Sequence, residues 1–310
     1  MFSKKSNSEP LGVPLGDLLL MLQPTSIKAS LKSGTLTARH EHYTTHIRVV
    51  EPEKRETEDR PIEAVVRVTT ELPKQLLQFF MKPGAIVETN KFAALGALFS
   101  DRGSVYVGSR LTIYEAENAW PTLHLPLLLF TTICGVEAIL GAVRRSMNNQ
   151  DYSGGTSDWT ESDFAQVENS LSRFCVCSTG ALGFTAEFGL SEGAISAAAG
   201  HRTALFRLKA DQPHPELGGG LFCVLEIPYL FRNDQRLREV CEQLNNMEMA
   251  AGDLPPHFGA WCEGSAGHNP AYISFFPNAL HRVSGIALNA AYWAANRTQW
   301  ANQVIPSLDK

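Results

Sequence analysis

Ser30-Leu-Lys-Ser-Gly-Thr-Leu-Thr-Ala-Arg-His-Glu-His42 decides how the rest of the chain is read. A second stretch, Gly189-Leu-Ser-Glu-Gly-Ala-Ile-Ser-Ala-Ala-Ala-Gly-His201, follows it position by position. Leu31 falls on Leu190, Gly34 on Gly193, Leu36 on Ile195, Ala38 on Ala197 and His42 on His201. Continued without a gap, Ile47 falls on Phe206 and Arg48 on Arg207. Farther on, Glu71-Leu72-Pro73 answers Glu226-Ile227-Pro228, and Gly96-Ala97 inside Phe92–Phe99 answers Gly259-Ala260 before Trp261. Each run closes on a long apolar helix, 121–147 and 280–304. The matches are weak one by one, but they recur in the same order. That is the mark of one structural unit used twice.

Hydrophobic periodicity fills in the unit. Each run opens with a short amphipathic helix, Leu15–Leu22 and Glu161–Phe174, with Thr160 or Ser162 as N-cap of the second. Strand-like segments follow around a glycine turn, Ser33-Gly34 or Glu192-Gly193, and then a third strand, Glu63–Leu72 or Leu221–Ile227. Next comes a helix over Lys74–Lys82 or Asp234–Asn246. Two more strands precede the closing helix: Ala93–Phe99 with Tyr106–Tyr114, or Phe258–Cys262 with Tyr272–Phe276. The predicted order is α-β-β-β-α-β-β-α, an α+β unit whose antiparallel sheet is packed by helices. The polar, Gly-Gly-bearing stretch 144–158 reads as a linker. The chain therefore divides into 1–150 and 151–310, with the boundary near residue 152. The charged run Glu51–Pro61 reads as a solvated hairpin loop.

The chain's 310 residues leave room for two domains, and 44% hydrophobic with 19% charged residues excludes a disordered or fibrous chain. A net charge of −5 gives no footprint for bulk nucleic-acid binding. The apolar run Leu18–Leu22 behind Lys4-Lys5 is short, is flanked by Asp17 and lacks a cleavage site, so no secretory signal is expected. Cys134, Cys175, Cys177, Cys223, Cys241 and Cys262 are scattered, and the Cys175/Cys177 pair has no matched second pair. Reduced structural thiols and a cytoplasmic location are expected. Leu125–Val143 is nearly long enough to cross a bilayer, but it holds Glu137 and recurs in the second run. It is expected to be a core helix, with no membrane partner.

The order α-β-β-β-α-β-β-α, and the phrasing of its last two strands and helix, resembles the type III secretion chaperone fold and the related YbjN-like proteins. The resemblance covers nearly the whole chain, twice, at the level of topology. It implies protein binding, because such chaperones act as dimers that hold extended segments of a partner. A tandem copy would then be an intramolecular pseudo-dimer, with room for further self-association. The resemblance brings no catalytic residues and no cofactor.

Four groups of residues invite a chemical reading. Gly189-Leu-Ser191-Glu-Gly193 matches G-x-S-x-G, the nucleophile elbow of serine hydrolases. The corresponding turn of the first run has Lys32 in place of Ser191, and alternating βα units are lacking. His40, His42 and His46 share one face of a strand, but His40 and His46 would lie roughly 20 Å apart at about 3.3 Å per residue. His257, Cys262, Glu263 and His268 surround a Gly-Ser segment without a recognised zinc spacing. Tyr292, Trp293, Arg297 and Trp300 lie at helical spacing and read as a buried stripe from which Arg297 snorkels.

The expected function is that of a non-enzymatic, cytoplasmic protein-binding or chaperone-like module, with no catalytic, cofactor or metal residues. Its partner is another protein, held as an extended segment or helix on a surface made by both copies. The alternative is a hydrolase, acting through Ser191 or through zinc in the His257–His268 region.

Overall fold

The computed structural model describes residues 13–50, 62–114, 120–148, 154–190, 203–251, 254–265 and 268–309. The first half runs α1 (Leu15–Leu22), β1 (Lys28–Lys32), β2 (Thr35–Arg39), β3 (Thr44–Val50), β4 (Ile62–Glu71), α2 (Lys74–Phe80), α3 (Ala85–Asn90), β5 (Ala97–Asp101), β6 (Ser104–Tyr114) and α4 (Leu125–Asn148). The second half runs α5 (Glu161–Leu171), β7 (Val176–Gly180), β8 (Gly183–Gly189), β9 (Thr203–Lys209), β10 (Gly220–Glu226), α6 (Asp234–Ala250), β11 (Ala260–Glu263), β12 (Pro270–Pro277) and α7 (Ile286–Leu308). The class is mixed α+β, as expected. The strands form two antiparallel six-stranded sheets, β1-β2-β3-β4-β6-β5 and β11-β12-β10-β9-β8-β7.

Two expectations need correction. The sheet predicted with five strands has six, because the segment after the first helix turns twice. The turn at Ser33-Gly34, with positive φ at both residues (48° and 71°), is the expected one; the second lies at 40–43, closed by His40 N–H to Tyr43 O (2.9 Å), so His40 and His42 sit in a connection and only His46 lies on a strand. The second correction concerns the quoted match. The two-residue turn between Lys32 and Thr35 has its counterpart between Gly180 and Gly183, not at Glu192-Gly193, which lies outside the described residues. The ladders then place Leu36 with Phe184, and Ile47 with Leu208 rather than Phe206. On β9 the slip is two residues, which keeps each side chain on its own face, so the alternation there does not expose it; Leu36 moves farther, from Ile195 to Phe184. The boundary near residue 152, the run Glu51–Pro61 and Ser191 also lie outside the described residues.

The other landmarks hold in register. Glu71 pairs with Tyr106 and Glu226 with Ala271, and the next residue donates to the neighbouring strand in both halves (Leu72 to Val105 O, 2.9 Å; Ile227 to Pro270 O, 3.0 Å). A Cβ on Gly96 would lie 3.1 Å from Gly108 O, and one on Gly259 only 2.0 Å from Ile273 O. The backbone beside Gly259 comes too close for any side chain, and the one beside Gly96 leaves a tight fit.

Helices α1 and α4 pack in the first half, the latter on β4 and β6, while α5 lies on β7 and β8 and α7 on β9 and β10. Leu15, Leu18, Leu22, Phe164, Val167 and Leu171 point inward at helical spacing. Each such fully buried side chain contributes about 1.5–3 kcal/mol. The Asp163 carboxylate accepts from the Thr160 N–H (2.8 Å) and starts α5. Helix α4 is apolar enough to cross a membrane by length and composition, and Leu127, Leu128, Ala138 and Ile139 on it are fully buried. One hydrophobic core runs from Val13 to Ile305 through both halves.

The halves meet edge to edge. Helix α3 packs on β11 while α6 packs on β5, α3 touches α6, and β5 approaches β11. Such reciprocal pairing is the pattern of a twofold interface. Arg110 and His257 close the seam with a pair of main-chain hydrogen bonds of 3.1 and 2.7 Å.

Candidate functional site

Both halves tie a helix to the sheet edge with one buried asparagine. Asn90 on α3 donates to Leu98 O (2.9 Å) and accepts from Leu98 N–H (2.7 Å). Asn245 on α6 does the same to Trp261 O (3.0 Å) and N–H (2.8 Å). These bonds satisfy strand groups that the edge would leave bare.

The second half builds a fully buried ion cluster beside its clasp. One turn beyond Asn245, the fully buried Glu248 accepts from the Trp261 indole (2.7 Å), from Arg297 Nε and Nη2 (2.7 Å each) and from His257 Nδ1 (3.1 Å). The Arg297 guanidinium lies 3.8 Å from the centre of the Tyr272 ring. Burial would raise the Glu248 carboxyl, but Arg297 and His257 override it and hold the group well below its ordinary 4.5. Burial lowers His257 from 6.5 against the pull of Glu248, so the ring stays neutral and donates through Nδ1. Arg110 enters from β6, fully buried, and donates to Glu248 O (2.7 Å), Leu254 O (3.0 Å) and Pro255 O (2.7 Å). Burial brings it down to about 10, which leaves it charged at neutral pH. The cluster is sealed, and its chemistry is that of a clamp between the halves.

The same ladder positions do something else on the second sheet. Arg67, four residues before Glu71, pairs with Arg110 across β4 and β6; Phe222, four residues before Glu226, pairs with Phe275 across β10 and β12. On the first sheet the arginines cap carbonyls of the second half, with Arg67 reaching Ala250 O at 2.5 Å. That sheet face is thus covered by the segment after α6. The connection from Asn90 to Leu98 is much shorter than that from Asn245 to Trp261 and offers no such cover in return. What remains over the second sheet is a groove of two adjoining hollows, about 470 and 350 Å³. Phe222, Phe275, Val224 and Ile273 form its floor, the first half supplies Lys91 and Phe92, and Pro213 and His214 form a wall. His214 Nδ1 accepts from Glu216 N–H (3.0 Å), which leaves Nε2–H to donate to Phe92 O (2.8 Å) across the junction. Burial lowers this ring from 6.5 to about 4. Lys91 joins Glu88 and Glu263, and Arg238 joins Glu263 at 2.7 Å, so the rim is an ion-pair network shared by both halves.

Of the residues singled out from sequence, His257 and Arg297 meet at Glu248, and the rest are dispersed. His40 stacks on Tyr43 (4.1 Å), His42 is exposed beside Glu41, and His46 lies against Thr37. His257 faces Glu248 in the core, Cys262 is buried in β11, Glu263 pairs with Lys91, and His268 pairs with Asp234 (2.8 Å) at the surface. Among the described residues no group of three His, Cys, Asp or Glu is placed to hold a metal. Arg297 does not snorkel: it is 2% exposed, because Glu248 gives it a partner inside, while Tyr292 of the same expected stripe is 42% exposed. Asn245 and Glu248 escaped sequence reading. They fall on the buried stripe of α6 with Leu237, Cys241 and Leu244, and a polar residue on such a stripe was the available signal. No family model, curated protein or solved structure matches the chain.

Proposed function

We propose that the chain is two tandem units of one α+β fold joined as a built-in dimer. It acts as a non-enzymatic, cytoplasmic protein-binding module of chaperone-like kind, holding a partner segment in the groove. The single observation behind this is the unequal cover of the two sheets. Where the first sheet is covered by Ala250, Leu254 and Pro255, the second leaves the half-buried Phe222 and the exposed Phe92 facing the groove above the buried Phe275. The occupant that fits is an extended apolar segment containing proline, since aromatic-lined grooves favour such pre-extended chains.

The test is a display screen of unstructured peptides against the full chain, followed by titration of the selected sequences by fluorescence anisotropy. Proline-containing apolar peptides should be selected, and Phe222→Asp should abolish their binding while the melting temperature stays near that of the parent. Selection of no peptide, or binding indifferent to Phe222→Asp, would sink the reading. So would labelling of Ser191 by a fluorophosphonate, or stoichiometric zinc on elemental analysis.

A further inference from the structure

We infer that the outer edge of β7 is a self-pairing surface through which two copies of this chain associate. Strands β1 and β7 are the free ends of their sheets, and an open edge invites another strand unless it is blunted. The ladders place Lys28 of β1 where β7 has Val176, and Lys32 where it has Gly180. The first edge therefore carries a lysine at each end. The second carries none, and no charged residue occurs from Phe174 to Ala186. Phe174, Val176 and Leu182 are 77%, 73% and 59% exposed along this edge. Lysines are the usual guard against edge pairing, and large exposed apolar side chains are its usual marker.

The backbone fixes which groups are free. Gly180 and Gly183 flank a two-residue turn, so they exchange main-chain hydrogen bonds with each other, as do Ser178 and Val176 with their partners on β8. The N–H and C=O of Cys177 and Thr179 consequently point outward. An antiparallel copy centred on Ser178 would set Cys177 against Thr179 of the second copy, and Thr179 against its Cys177, closing four main-chain bonds. The same register sets Val176 against Gly180 and Phe174 abreast of Leu182, each bulky side chain beside a small one or beside another exposed apolar group. A foreign segment would need its own matching pattern, whereas a second copy already has it. The strip is short, so the dimer is weak and depends on concentration.

The test is sedimentation velocity on the full chain over a wide concentration series. The parent should shift from monomer to dimer as concentration rises. Val176→Lys/Gly180→Lys, which gives β7 the residues that β1 has, should remain monomeric with an unchanged circular dichroism spectrum. Both positions are open: the Val176 side chain is exposed, and a Cβ on Gly180 would meet nothing closer than 3.9 Å. A parent that stays monomeric throughout overturns the inference, as does a doubly substituted chain that dimerises like the parent. Lys28→Val/Lys32→Gly offers a second reading independent of any change to β7. Unguarding β1 should carry association beyond the dimer, and a chain that stops at the dimer would mean that lysines do not decide pairing here.

Discussion

The two sides of the junction have the same framework and opposite chemistry. On one side Arg67 and Arg110 reach from the first sheet to carbonyls of the second half; on the other, Phe275 packs against Ala94 and Ala138 of the first. The arginine side is filled by the long connection after α6, and the phenylalanine side is left as a groove. The difference teaches how two six-stranded halves can be covered unequally. One longer loop covers one face, its counterpart is too short to do the same, and the asymmetry leaves an apolar hollow that both halves line. The same contrast recurs at the free edges, where β1 is guarded by lysines and β7 is not.

The largest expected effect breaks the polar side. Glu248→Gln leaves the Arg297 charge buried without its partner, which should cost about 3–5 kcal/mol of unfolding free energy in urea. The double change Glu248→Leu/Arg297→Leu removes both charges and should recover much of that loss, as a double-mutant cycle will show. A cost for Glu248→Gln within about 0.5 kcal/mol, the range of ordinary surface changes, would mean that the cluster is not the clamp that its geometry describes.

The clasp common to both halves gives the next effect. Asn90→Ala and Asn245→Ala each orphan a strand N–H and C=O beneath a helix, at about 1–3 kcal/mol per buried group left unsatisfied. The two losses should be of similar size if the clasps do the same job. A neutral Asn90→Ala would confine the clasp's importance to the half with the ion cluster and narrow the likeness between the units.

These asparagines also mark the limit of what the sequence discloses. The α+β class, both closing helices, the Glu-x-Pro strand ends and the Gly-Ala edge strands are written in local pattern, because periodicity, glycine and proline act within a few residues. The hairpin β1-β2 was legible from Ser33-Gly34, yet its counterpart was placed at Glu192 rather than Ala181 because the connection before β9 is longer in the second half. The groove is not legible in local pattern. Its composition depends on Phe92, His214 and Phe222, which lie far apart in sequence. Glu248 and Arg297 are 49 residues apart, and nothing local to either announces a buried ion pair.

The smallest effect distinguishes the two sides by what they titrate. The arginine side crosses the junction with a group that remains charged, whereas the groove side crosses with His214, held neutral by burial. The folded ring titrates near 4, the unfolded one near 6.5. Its contribution is therefore complete above pH 6.5 and is lost as pH falls toward about 4, because the unfolded chain takes up the proton first. The slope in that window is about 1.4 kcal/mol per pH unit for one such group. His257 is shifted in the same direction, so the parent's acid loss contains both rings. His214→Gln subtracts one of them. Its urea stability should be lower than the parent's at pH 7 and should approach it as pH falls through this window. Hydrogen-exchange protection at 214–218, taken relative to the intrinsic rate at each pH, should fall in acid in the parent and be low at every pH in the variant. Equal acid slopes in the two proteins would show that the Phe92 tie does not depend on a neutral ring, and would remove the one titrating difference between the two sides.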